Sequence, residues 1–171
     1  HLVASTTNLG YTGGNNCGLH CFGFEVGQRA AAAAAATPLH DTQLVRPDYI
    51  LLLNADTEVN EDALWRMVHT LATTPTAGAC GAHLHYGNGS FQHGAFRFPS
   101  LAQIALDFFP LTGLPGSHRL HNSGVNGRYP QALWRGAQPF PVDVALGAAL
   151  MVKAAVIRQL GGLDDGYFMY C

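Results

Sequence analysis

The chain reads as an α/β protein, and three observations carry that expectation. Ile50, Leu51, Leu52 and Leu53 form an unbroken apolar run bounded by Pro47 and by polar Asn54, the pattern of a short strand buried on both faces. Leu64, Met67, Val68 and Leu71 then recur at i, i+3, i+4 and i+7, which is one face of a helix. Pro141 to Met151 returns to a buried pattern, and Lys153 to Leu160 reads as a helix closed by Gly161 and Gly162. A chain of 171 residues, 48% hydrophobic and 12% charged, can bury one sizeable core, so a single domain over 1–171 is expected.

The front of the chain offers a short strand at Leu2 to Ser5 and then NLGYTGGNNCG, Asn8 to Gly18. So many glycines and asparagines predict a loop with unusual backbone angles, followed by a helix capped near Asn15 or Asn16. A loop at a helix N-terminus presents free N–H groups and the positive end of the dipole, which suits a diphosphate, although a purely structural turn accounts for the same residues. Leu19 to Ala36 is apolar and alanine-rich, favouring helix. Thr37 to Arg46 is a polar connector.

The central strand contributes about 1.5–3 kcal/mol for each fully buried side chain. Pro47 opens it, where a missing N–H does least harm. Asn54 and Asp56 sit at its carboxyl end, the edge at which open α/β sheets bind ligands, and they are also ordinary turn and capping residues. Asn60 is a good cap for a helix over Glu61 to Thr73, which Pro75 ends. Ala77 to Tyr86 reads as another strand, with His83 and His85 alternating onto one face. Two histidines without a third ligand fit exposed polar side chains better than a metal site. Gly87-Asn88-Gly89 predicts a hairpin turn. Phe91 to Pro141 has no strong periodicity beyond a short helix at Leu101 to Phe109, and a stretch of that kind suggests a variable functional loop region.

Charge and cysteine usage exclude some classes. A net charge of −2 gives no basic footprint for nucleic acid. Cys17, Cys21, Cys80 and Cys171 make no CxxC pair or zinc spacing, Cys17 and Cys21 read as packing thiols, and a reducing compartment is the default. No apolar run reaches the roughly 20 residues of a membrane span. Gly10, Gly13 and Gly14 do not make GxGxxG, which disfavours a nicotinamide-dependent oxidoreductase.

Taken in order, these pieces resemble the inverting nucleotide-sugar glycosyltransferases of the GT-A fold (family 2), in particular their rhamnosyltransferase-like bacterial branch. The family's NxGxxxGNNxG loop is matched by Asn8, Gly10, Gly14, Asn15, Asn16 and Gly18. Its strand ending N-P-D-T/V-E is matched by Asn54, Asp56, Thr57 and Glu58, with Ala55 in place of proline. Gly89, Phe98 and Pro99 look like its glycine and FP pieces. Val142, Asp143, Gly147 and Ala148 match V-D-x-x-x-G-A, and Gly161, Gly162, Asp164, Phe168, Met169 and Tyr170 match GGxDexFFMY.

The resemblance implies a Rossmann-like, mostly parallel GT-A sheet that is incomplete at both ends of this chain. It implies polysaccharide biosynthesis by transfer of a sugar, with inversion, from a UDP- or dTDP-linked donor to a glycan or lipid-linked acceptor, in the cytoplasm or at the inner face of the membrane. Asp56 would be the ligand for Mg²⁺ or Mn²⁺. Asn8, Gly10, Asn15, Asn16, Asn54 and Asp56 would bind the donor, and Asp143, Gly147, Ala148 and Phe168 would lie by the donor sugar and acceptor, with acceptor choice in 91–141. The family's catalytic base belongs to an acidic pair just after the FMY segment, where this chain ends at Cys171, and its two leading strands would precede His1. The chain alone is therefore expected to be inactive or nearly so, with exposed sheet edges open to self-association. A non-catalytic sugar-nucleotide or carbohydrate-binding module is the alternative.

Overall fold

The computed structural model describes residues 7–27, 46–109, 124–136 and 138–168. The expected strand at 2–5, the alanine run at 28–36 and the connector at 37–45 lie outside the described residues. The elements in order are α1 (Gly10–Cys21), β1 (Tyr49–Leu53), α2 (Ala63–Thr73), β2 (Ala79–Gly81), β3 (Leu84–His85), β4 (Phe91–Gln92), β5 (Ala95–Phe96), α3 (Leu101–Phe108), a 3₁₀ turn (Gly124–Asn126), α4 (Gln131–Trp134), β6 (Val144–Ala145), β7 (Ala149–Lys153) and α5 (Ala154–Leu160). The chain is thus mixed α/β. It divides into two compact units, 1–52 with 152–171, and 53–151.

One sheet has the strand order β1-β7-β2. Asn54 N–H donates to the Ala148 carbonyl at 2.9 Å, and Ala154 N–H to the Asp48 carbonyl at 2.9 Å. The start of each strand therefore meets the end of the other, so β1 and β7 run antiparallel. Ala82, just past β2, donates to Ala149, the first residue of β7, which sets the same sense there. The two-stranded sheets β3-β4 and β5-β6 are antiparallel as well. Among the described residues no two neighbouring strands are parallel, so the mostly parallel sheet that the resemblance implies is not among these ladders.

In the first unit, α1 packs through Thr12, Asn16, Cys17 and Leu19, and α5 through Ala154 and Ile157. The helix starts earlier than the glycines suggested. Asn8 Oδ1 accepts the Gly10 N–H at 2.9 Å, and Tyr11 N–H donates to the Phe168 carbonyl at 3.0 Å, so two amides that a first turn leaves without helical partners are used by the protein itself. The glycine-rich segment is consequently helix from Gly10 on, and no side chain caps α1 at Leu9. Gly161 ends α5 at φ 77°, as its sequence position required. In β1, Ile50 and Leu52 are buried and Leu51 is half-buried.

In the second unit, Leu53, the last residue of β1, is 41% exposed, so burial on both faces does not extend to the strand's end. Helix α2 packs on β2 and buries Met67 and Leu71, while Leu64, on the same predicted stripe, is exposed. It begins at Ala63 rather than Glu61. Asn60 lends its carbonyl to the Ala63 N–H, and the Asp62 carboxylate accepts from Arg66 Nε at 2.6 Å instead of capping the helix. The strand expected over Ala77–Tyr86 is two: β2 pairs in the three-stranded sheet, then the chain changes partner and β3 pairs with β4, Leu84 opposite Gln92 and His85 opposite Phe91. The hairpin turn forms where predicted. Gly89 takes φ 79°, and Asn88 Oδ1 accepts from the Ser90 N–H at 2.9 Å. Part of 91–141 is ordered secondary structure: β4, β5, α3 and α4 fall within it.

Candidate functional site

In the second unit the turn after β1 is tied to the segment before β7. Thr57 N–H donates to the Asn54 carbonyl at 3.2 Å, which closes the turn around Asp56. Asn54 N–H and the Thr57 hydroxyl both donate to the Ala148 carbonyl, at 2.9 and 3.4 Å. A carbonyl oxygen has two lone pairs, so one acceptor can serve both donors. The outcome is that Asn54, Asp56, Thr57 and Ala148 occupy one place, with the Asn54 and Asp56 side chains exposed to solvent.

That arrangement leaves Asp56 as a solvent-facing carboxylate on a turn fixed by backbone bonds. Among the described residues no three His, Cys, Asp or Glu side chains come together as a metal cage. Asp56 is the residue of this turn that could hold a hard cation, by one carboxylate.

Asp143 stands in a different part of the same unit. Its Oδ2 accepts the Phe98 N–H at 3.1 Å and its own N–H donates to Tyr129 Oη at 3.0 Å. The β5–β6 ladder, which pairs Phe96 with Val144, brings these segments side by side. Arg97 lies 5.0 Å over the Tyr129 ring. The Asp143 carboxylate thereby anchors the chain entering α3.

The first unit holds the other expected donor residues. Asn16 is fully buried, and both ends of its amide are used. Its Nδ2 donates to the Leu163 carbonyl at 2.8 Å and to Asp165 Oδ1 at 2.7 Å, and its Oδ1 accepts the Leu163 N–H at 2.8 Å. Asn15 Nδ2 donates back to the Tyr11 carbonyl at 2.8 Å. Gly10, at φ 69°, lies so close to Phe168 that an added Cβ would strike the Phe168 carbonyl and ring. Gly10 and Phe168 are thus brought together, and Asn16 holds the glycine-aspartate segment that carries Phe168.

Comparison with known proteins gives one kind of relative. Over 128 residues, 72% of this chain, the sequence is 24% identical to N-acetylglucosaminyl-diphospho-decaprenol L-rhamnosyltransferase from two strains of Mycobacterium tuberculosis. The likeness is to a rhamnosyltransferase. The chain spans 38% of the length of these curated relatives. It matches no protein-family profile and no solved structure.

Two features of the second unit were not read from sequence. One is the double anchor of the Asp56 turn on Ala148, for which Thr57 was the available signal, as a hydroxyl one residue past the acid. The other is an aromatic and histidine cluster around Trp134, whose ring centroid lies 5.6 Å from His83, 5.6 Å from Phe91 and 5.1 Å from Phe140. Burial, and secondarily the neighbouring His85, pushes the His83 imidazole below its ordinary pKa, and burial followed by Arg128 does the same to His93. These residues come from β3 and its surroundings, α4 and the 138–141 strap, with no period that would link them in the text.

Proposed function

We propose that the polypeptide to which this chain belongs is a metal-assisted glycosyltransferase that moves a sugar, with inversion, from a UDP- or dTDP-linked donor to a glycan or lipid-linked acceptor. The observation that carries the reading is the Thr57 to Ala148 contact, 91 residues apart in sequence, which joins two segments whose motifs resemble one family. The likeness to a rhamnosyltransferase over 72% of the chain supports the same class. On this reading Asn54 and Asp56 face the donor diphosphate, Asp56 would hold Mg²⁺ or Mn²⁺, and Gly147 and Ala148 lie by the transferred sugar. The cation, when bound, neutralises charge on the departing nucleoside diphosphate. The remaining work belongs to the chain: the backbone bonds of the turn hold the Asp56 carboxylate in place, so little ordering is left to be done when donor binds.

In the first unit, Asn8, Gly10 and Asn15 are proposed donor contacts. Asn16 contributes by fixing the segment that carries Phe168. Asp143 contributes to the acceptor side by holding the entry to α3. No helix among the described residues is long and apolar enough to cross a membrane. A site at the inner face of the membrane is supported by Phe98, Leu101, Phe108 and Phe109, which are 69–86% exposed on and beside α3.

The test is transfer itself. The natural polypeptide is offered UDP- and dTDP-sugars with a lipid-linked glycan acceptor and Mn²⁺, and the anomeric configuration of the product is read by NMR. Inverted product is the expected result; no transfer from any donor, or retained configuration, contradicts the proposal.

A further inference from the structure

The second unit contains a cavity of about 720 Å³ that none of the residues discussed above as donor contacts lines. Its lining includes small residues of β2 and its surroundings, among them Ala79, Gly81 and Gly94, together with Trp134 and Phe140. Thr70, Thr76, Gln138 and His83 supply hydroxyl, amide and imidazole groups around it. No Lys, Arg, Asp or Glu is among the lining residues. The Trp134 indole N–H is buried with no hydrogen-bond partner.

The cavity reaches from the far end of α2 to Ala82, whose N–H donates to the Ala149 carbonyl next to the Ala148 that anchors the Asp56 turn. Helix α2 starts soon after that turn and runs 11 residues, about 16 Å at 1.5 Å per residue. Thr70 and Thr74 line the cavity at the helix's far end.

We infer that this cavity is a second subsite, one that takes a single neutral sugar ring of a glycan. Two properties select the ligand. A site without charged side chains has nothing to offset a diphosphate, so it is not a nucleotide site. The Trp134 indole, with the Phe140 ring set across it at 87°, beside uncharged donors and acceptors suits a ligand with one apolar C–H face and a rim of hydroxyls. The choice of a sugar over other uncharged rings rests on the transferase reading. A ring held here would anchor the acceptor glycan at a residue other than the one that reacts.

The experiment uses the two tryptophans. Replacing the exposed Trp65 by Phe leaves Trp134 as the sole tryptophan, so its emission reports on the cavity. The Trp65→Phe chain is titrated with N-acetylglucosamine, methyl α-L-rhamnoside and, as a charged control, UDP. The expected result is a saturable emission change with at least one sugar and none with UDP. Ala79→Leu, which adds bulk to the lining, should abolish it, and Gln138→Ala should weaken it at least fivefold. Should Ala79→Leu not fold, Gln138→Ala at an exposed position decides alone. No saturable change with either sugar, an unchanged response in Gln138→Ala, or a UDP response overturns the inference. Loss of donor binding elsewhere with sugar binding here intact would instead count against the transferase reading alone.

Discussion

The backbone N–H of Asn54 donates to the carbonyl of Ala148 at 2.9 Å, and this one bond places the end of β1 against the start of β7. Thr57 adds its hydroxyl to the same oxygen at 3.4 Å. Asp56 sits between these two anchors with its side chain exposed. The chemistry of the proposed site depends on that turn keeping its shape.

Thr57→Val removes a hydroxyl while keeping the branched shape. It should lower stability by about 0.5–1.5 kcal/mol, the net contribution of one such hydrogen bond. Urea unfolding checks this, with a reduced midpoint and unchanged slope expected.

Asn16 makes the opposite kind of contribution. Asn16→Ala leaves the Leu163 N–H and carbonyl without their partner in a buried place, and should cost at least about 2 kcal/mol. Asn16→Asp should be worse near neutral pH, because a carboxylate there faces the Asp165 oxygen that the amide now donates to. Thermal unfolding of both variants decides the order, and an aspartate variant as stable as the parent would contradict the assignment.

Gly10 should tolerate no side chain. Its φ is 69° and an added Cβ would meet Phe168, so Gly10→Ala should destabilise by about 1–3 kcal/mol. Gly14 lies in the same helix with open space around it, so Gly14→Ala should be neutral or slightly stabilising. Comparing the two melting temperatures separates close packing from a general need for glycine.

His83 and His93 set a pH dependence. Both imidazoles have folded-state pKa values below their ordinary 6.5. The unfolded chain therefore takes up protons first as pH falls, and the stability present above pH 6.5 is lost on acidification through and below that value. Denaturant midpoints between pH 7.5 and 5 should fall, and the fall should be smaller in a His83→Gln, His93→Gln chain.

How far the sequence carried these results depends on the interaction concerned. The β1 run, the apolar residues Met67 and Leu71, the Asn88-Gly89 turn and the glycine stop at Gly161 all express local preferences, and they appear where the residues put them. The start of α1 did not, because it is fixed by Asn8 and by the distant Phe168 carbonyl, and the glycines that argued for a loop are overruled by that contact. Ala77–Tyr86 was read as one strand because alternation cannot show a change of partner at Ala82. The sense of the β1–β7 pair was equally hidden, since buried apolar runs look alike whichever way their neighbours run. The Asp56 turn was visible as a motif, whereas the Trp134 cavity draws on four segments and left no linear trace.

The most direct test of the central claim is calorimetric titration of the natural polypeptide with UDP- and dTDP-sugars, with Mn²⁺ and with chelator, comparing the parent with Asp56→Ala. Asp56 is exposed, so the variant should fold with little change in melting temperature. The account predicts metal-dependent donor binding in the parent and at least a tenfold loss, about 1.4 kcal/mol, in the variant. Donor binding that is equally strong in Asp56→Ala, or indifferent to the cation, would contradict it.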